Sequence, residues 1–239
     1  MEEKKTRPRR AKRTKVDIER SINKAAKEII LKKGFSDMTV LDIIKRAKIE
    51  AVTFYLRYKN LDDFCENFVK EYDYWFSDML KTSNDNLYTQ EGYAAIFERL
   101  LDELKDDSVM LELLRWEVNT ANEVTKRTAM NREFHTLPLT HEYDRLFKNT
   151  GIDFVAISAL IVAGIYYLSL HRRCSTFCGI DMTTDEGKER IQKAITNLSV
   201  ILFNHREKCK QTTSTLDVIA ERMKEKGLSE EDIAYCLKV

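Results

Sequence analysis

Glycine and proline are scarce in this chain: seven Gly and two Pro among 239 residues. Strands and their turns consume both residue types, whereas long helices avoid them. The expected fold class is therefore all-α. Cysteine is sparse as well. Cys65, Cys174, Cys178, Cys209 and Cys236 form an odd, scattered set, which is a poor disulfide framework. The N-terminus is charged and has no apolar leader region, so a reducing cytoplasm is the expected compartment. The longest stretch without a charge, Phe154 to Leu170, has 17 residues. A spanning helix needs roughly 20, so the stretch reads as a buried helix of a core or interface, and no membrane partner is expected.

Signatures of catalysis are missing too. There is no glycine-rich nucleotide loop, no G-x-S-x-G, no H-E-x-x-H and no paired-carboxylate pattern. Neither an enzyme nor a cofactor is expected.

What is present is an uneven charge distribution. Residues 1–59 hold 18 Lys+Arg against 8 Asp+Glu, while residues 60–239 hold 22 against 31. A basic module joined to an acidic body suits a partner rich in phosphate. Within residues 1–15 stand eight Lys and Arg, among them Arg10, Arg13 and Lys15, and no large apolar residue beyond Met1. That stretch reads as a flexible basic arm, either touching phosphates or serving as a solubilising tail.

Apolar periodicity predicts a first helix over Asp17 to Lys33, with Ile18, Ile22, Ala25, Ala26, Ile29 and Ile30 on one face and Gly34 as its stop. A second starts at Thr39, whose hydroxyl can cap it with Asp42 three residues on, and breaks near Lys48. A third, short helix covers roughly Glu50 to Tyr58. A fourth follows Asn60 and runs to about Lys81. The rest reads as helices near 91–104, 108–122, 123–147 with a break at Pro138, 152–174 and 185–208. A small hairpin follows from 212 onward, its second helix capped by Ser229.

Two short helices joined by a tight turn, the second small and amphipathic, form a helix-turn-helix pattern, although any two short helices can look alike by periodicity alone. In such a unit the second helix enters the major groove. Here Ile49, Val52 or Thr53, and Leu56 alternate between holding that helix and facing outward, and Arg57 and Lys59 follow where phosphates would lie.

The residues Gly34-Phe35, Thr39, Asp42-Ile43, Ala47, Ile49, Thr53-Phe54-Tyr55, Tyr58, Asn60, Asp62 and Phe64 give Asp17 to Phe64 a close resemblance to the TetR family of transcriptional regulators. The resemblance implies a three-helix helix-turn-helix domain that binds double-stranded operator DNA. It implies that Thr39 holds a phosphate beside its capping role, that Ala51, Val52, Thr53, Leu56 and Arg57 lie at or near the groove, and that Tyr55 grips the backbone with Lys59 as a helper. Phe54 reads as core. The chain departs from the family pattern at four points. Lys48 replaces the turn glycine, Glu50 the small N-cap, Leu61 a lysine, and Ala51 and Val52 replace polar residues often used against bases. Contact with thymine methyls and reading of DNA shape then gain weight over hydrogen bonding.

The same resemblance implies a larger helical ligand-binding and dimerisation domain, giving an arm over 1–15, a DNA-binding domain over 16–60, a body over 61–210 and a hairpin appendage over 211–239. It implies a homodimer through the last two long helices, with Phe154, Ile157, Ile161, Gly164, Ile165 and Leu168 on one and Ile191, Ile195, Leu198 and Leu202 on the other. A small apolar or aromatic ligand is the implied effector. Tyr93, Phe97, Trp116, Phe134, His135, Tyr143, Phe147, Tyr166 and Tyr167 are candidates to line its pocket, though each can equally be ordinary core. His171, Cys174 and Cys178 share one helix face and can hold a thiophilic ion. They lack the tight pairs of zinc sites, so buried thiols are the plainer reading and no metal site is expected. Two functional readings remain: a repressor released from its operator by a ligand, and a ligand-independent DNA-binding protein of the same fold with an architectural or division-related role.

Overall fold

The computed structural model describes residues 13–81 and 86–237. Arg10 and most of the expected arm lie outside them. The described residues form helices α1 (Lys15–Lys33), α2 (Val40–Ala47), α3 (Ala51–Tyr55), α4 (Leu61–Val69), a 3-10 turn (Lys70–Tyr72), α5 (Trp75–Lys81), α6 (Gln90–Asp106), α7 (Ser108–Asn119), α8 (Glu123–Leu146), α9 (Phe154–His171), α10 (Asp185–Glu225) and α11 (Glu230–Leu237). Their only β feature is a single bridge between Phe177 and Ile180.

The starts of these helices follow from local chemistry. Thr14 accepts from the Asp17 amide and Asp17 returns a bond to the Thr14 amide, a capping box. Lys15 is therefore the first residue of α1 and not part of an arm. Thr39 and Asp42 form a second box at α2, and Asn60, Asp107, Asp153 and Thr184 cap α4, α7, α9 and α10. Three expectations fail. The helix after Asn60 is interrupted at residues 70–74, giving α4 and α5 in place of one helix. Pro138 sits inside α8 without ending it; it lies on an exposed face, where the helical bond its missing amide hydrogen omits is best tolerated. And α10 does not stop at 208 but continues through Thr212, Thr213 and Thr215. Their hydroxyls donate to the carbonyls four residues back at 3.0, 3.0 and 2.8 Å, a pattern that helices accommodate.

The chain groups into two compact units. The first comprises residues up to Trp75 together with Asp106–Phe134. In it α1 packs on α2 and on α7. Its core is largely aromatic: Phe35 stacks on Trp116 at 4.8 Å and meets Phe68 edge-on, and Phe54, Tyr58, Phe64, Phe68 and Tyr72 continue the cluster. The helix-turn-helix segment thus completes its core with α4 and α7. The second unit comprises Phe76–Lys105 and residues from His135 onward. Its core holds Tyr93, Phe97, Tyr143, Phe147, Phe154 and Phe203, in ring-to-ring contact.

Candidate nucleic-acid interface, dimer seam and pocket

The turn between α2 and α3 determines what α3 presents. Lys48, at the family's glycine position, adopts the left-handed conformation, φ 54° and ψ 52°, which costs a lysine roughly 1 kcal/mol relative to glycine. The Arg13 guanidinium donates to the carbonyls of Ala47 at 3.1 Å and Lys48 at 3.5 Å, meeting acceptors that a helix C-terminus leaves open. Arg13 thereby closes the end of α2, a correction to its place in a free arm.

Phe54 is fully buried and Tyr58 nearly so; they fix α3 to the module. The opposite face stands clear. Val52 is 65% exposed, Tyr55 54% and Leu56 79%, with Ala51 exposed beside them. A five-residue helix that, with its C-cap Leu56, bares three large apolar side chains needs something to cover them. Lys48, Glu50, Lys59 and Thr39 are exposed around it. Thr53 is half-buried, and its carbonyl accepts from the Arg57 guanidinium at 2.7 Å, so Arg57 is held back along its own helix. The Lys59 amide donates to Asp63 at 2.8 Å, leaving its side chain exposed. At the start of α2, Lys33 and Thr39 hydrogen-bond Asp42 and hold its carboxyl down at about 2. The exposed Thr39 keeps its backbone amide at the positive end of α2.

This geometry is that of a helix-turn-helix module whose second helix turns an exposed, largely apolar face outward. Residues 22–66 match the family described as "Bacterial regulatory proteins, tetR family". Solved structures resemble the chain over 76–78% of its length. A transcriptional regulator (TerR/AcrR family) from Aquifex aeolicus VF5 is 14% identical with a TM-score of 0.56, over 77% of this chain and 99% of that one. A TetR-family regulator from Syntrophomonas wolfei str. Goettingen is 18% identical with a TM-score of 0.56, over 78% and 97%. NemR of E. coli in its reduced form is 15% identical with a TM-score of 0.55, over 76% and 96%. At these identities the likeness is one of fold. No curated protein matches. The family match thus covers the helix-turn-helix segment, and the chain as a whole shares the fold of TetR-family transcriptional regulators.

In the second unit, α9 and α10 bring the expected seam residues to different places. Phe154, Ile165, Ile195 and Leu202 are buried inside the protomer, which corrects their assignment to the interface: the aromatic core takes Phe154, and its neighbours on that face follow the 3.6-residue period inward. Ile157, Ile161, Leu168, Ile191 and Leu198 are half-buried, and Gly164 is exposed with nothing near the position of a Cβ. The outward face of α9 is carried by Leu160, 74% exposed, with Ala156, Ala163, Gly164 and Tyr167, and that of α10 by Ile201, 63% exposed, with Ala194. Leu160 was not singled out by periodicity, because α9 is apolar on every side. By length and composition α9 can cross a membrane, with a mean hydropathy of 1.9 and 17% of its window buried. One side of it nonetheless packs in the unit: Ser158 meets the Tyr93 hydroxyl at 2.9 Å, and Ser169 is buried.

The expected pocket residues are not gathered in one place. Trp116 is spent in the first unit's core against Phe35, and Phe134, in the same unit, is exposed. Tyr93, Phe97, Tyr143 and Phe147 are packed on one another in the second unit, and burial pushes the Tyr93 hydroxyl up to about 12. His135 and Tyr166 are half-buried and Tyr167 exposed, stacked on His171 at 5.3 Å. Chemistry missed by periodicity lies in the first unit instead. Arg132, Thr128 and Asp73 are buried there; Arg132 pairs with Glu117, and Asp73 accepts from Thr128 at 3.1 Å and Asn131 at 3.0 Å. Burial holds the Glu117 carboxyl above its usual range despite the guanidinium beside it. The Glu117 Oε1 and Trp75 Nε1 atoms are buried without a hydrogen-bond partner.

Cys174 and Cys178 are exposed, and His171 meets Ser175 at 3.0 Å. Among the described residues no three His, Cys, Asp or Glu side chains are grouped to hold a metal ion. Cys65 is buried, and its thiol is pushed up to about 12, which leaves it inert.

Proposed function

We propose that the protein is a dimeric, cytoplasmic repressor that reads a two-fold operator through α3 and leaves it when a small ligand binds the body. The observation that carries the reading is the bare face of α3. Val52 and Leu56 suit the thymine methyls of a major groove, and Lys48, Lys59 and Tyr55 suit the phosphates flanking it. A palindromic operator calls for a two-fold dimer, and the uncharged outward face of α9 with Leu160, beside Ala194 and Ile201 of α10, is the surface offered for it. The proposal keeps the division of labour given above: DNA reading over 16–60, ligand and partner binding over 61–210, and an appendage over 211–239.

Ligand response is supported by two orphaned polar atoms of the first unit, Glu117 Oε1 on α7 and Trp75 Nε1 at the start of α5. Native proteins satisfy such atoms, and an unmet one commonly marks a bound water, ion or ligand. A second reading, a ligand-independent DNA-binding protein with an architectural or division-related role, is favoured by the aromatic core of the second unit, whose rings fill space that a ligand would need. Selection of fragments from random DNA by the full-length chain tests the operator: an inverted repeat is expected, and the absence of any enriched motif would overturn the DNA-reading role. A panel of small apolar and aromatic compounds, scored for thermal stabilisation and operator release, then separates the two readings. If no compound does either, the ligand-independent one stands.

A further inference from the structure

Near the middle of α10, one turn beyond Ile201, three donor atoms converge on one point. Cys209 Sγ lies 3.4 Å from His205 Nε2. His205 Nε2 lies 3.0 Å from the carbonyl oxygen of Thr150, and Cys209 Sγ lies 3.9 Å from the same oxygen. Both side chains come from α10, four residues apart, the spacing that puts two ligands on one helix face. The carbonyl comes from the α8–α9 connection. There Asn149 and Gly151 both have positive φ, 65° and 73°, and the Thr150 hydroxyl donates back to Phe147 at 2.7 Å. A tight turn thus aims one backbone oxygen at a thiol and an imidazole.

We propose that Cys209, His205 and the Thr150 carbonyl form a site for a borderline divalent transition-metal ion of the zinc class. Tetrahedral zinc with sulfur at about 2.3 Å and nitrogen at about 2.0 Å sets those two ligands about 3.5 Å apart, close to the spacing already present. His205 is exposed and Cys209 half-buried, which leaves a fourth position open to water.

Binding replaces hydrogen bonds by metal bonds. The thiol proton leaves to solvent as the S–metal bond forms. The imidazole, which donates through Nε2 to the carbonyl when empty, carries its proton on Nδ1 when bound. The cations near the site are Arg206, Lys208 and Lys210. Glu207 pairs with Arg206 and with Lys210, each at 3.2 Å. The Arg206 Nε also donates to the Leu146 carbonyl at 2.8 Å, and its guanidinium lies over the Phe147 ring, so this side chain ties the end of α8, just ahead of the turn, to α10. An ion at the site would clamp the turn to α10.

Cobalt(II) titration of the reduced full-length chain tests this. One equivalent per chain is expected, with a near-ultraviolet thiolate-to-metal band. Cys209→Ser should abolish the band, and His205→Gln should weaken affinity about tenfold or more. Cys174→Ser with Cys178→Ser should leave both unchanged, and zinc should displace cobalt. The proposal is overturned if no band appears, if the band survives Cys209→Ser, or if it follows Cys174 and Cys178. Circular dichroism of each variant confirms that the fold is kept, and none of the readouts depends on DNA binding.

Discussion

Helices α3 and α9 both turn apolar side chains outward, and they do so in opposite electrostatic settings. Around Val52 on α3 and Leu56 at its C-cap stand the exposed Lys48 and Lys59, with Glu50 as the one exposed acid between them. Around Leu160 and Gly164 the helix carries no charge from Phe154 to Leu170. Exposed apolar area alone says only that something covers it. The charge at its margin says what: a basic rim attracts phosphate, and an uncharged helix that a matching helix can approach closely attracts its own kind. Backbone fixation differs as well. Two buried aromatics, Phe54 and Tyr58, hold α3, whereas α9 meets the aromatic core through Phe154 and Ser158 in its first turns.

The comparison breaks most sharply at Leu160. Leu160→Asp sets an unpaired charge on the outward face, and desolvating it against a second copy is prohibitive. The side chain is exposed in the protomer, so the fold should survive. Monomers are expected in analytical ultracentrifugation, with operator affinity down about 100-fold or more as two linked modules become one. A folded dimer with full affinity would place the seam elsewhere. Within α3, the inward and outward residues should separate in a different way. Phe54→Ala should cost about 3–5 kcal/mol of stability, read by urea unfolding. Leu56→Ala should change stability by less than about 0.5 kcal/mol while weakening operator binding by about 1 kcal/mol, the scale of one base-pair contact. Equal losses of stability in the two variants would mean that Leu56 is not on an open face.

The smallest effect concerns acid. Asp42 has a folded-state pKa of about 2, below its ordinary 3.8. Its stabilising contribution is therefore complete above about pH 4 and is lost as pH falls toward 2. Asp42→Asn should flatten the decline of melting temperature across that window, and a decline that stays parallel to the parent's would show that the cap does not persist in solution. Nothing comparable is expected from α9, which bears no titratable carboxylate.

The same contrast explains what was legible in the sequence. Caps are local, so Thr39 with Asp42 and Asn60 announced α2 and α4 from a few residues each. The module's core was legible because Phe54 and Tyr58 alternate with polar neighbours. Helix α9 gave no such alternation: Ile165, buried, and Leu160, bare, are both simply apolar, so the period could not say which side faced out. Continuity through Pro138, and through Thr212 to Thr215, was hidden for another reason. Proline and a run of threonines are poor helix formers one residue at a time, and the long helices on either side carry the backbone through them, which residue propensity does not record. Arg13 lay in a run of similar cations, and only the three-dimensional course of the chain separates the one that closes α2.

Helix α10 has a mechanical consequence. Its 41 residues, at about 1.5 Å each, make a rod roughly 60 Å long. Ala194 and Ile201 ride on its first half, and the hairpin closed by α11, with Ile233 buried at its base, rides on its far end. No joint separates them. A torque applied at the hairpin is delivered to Ala194 and Ile201 as rotation of a single stiff axle, without a relay of packed side chains, and the turn gripped by His205 and Arg206 sits between the two ends as its bearing.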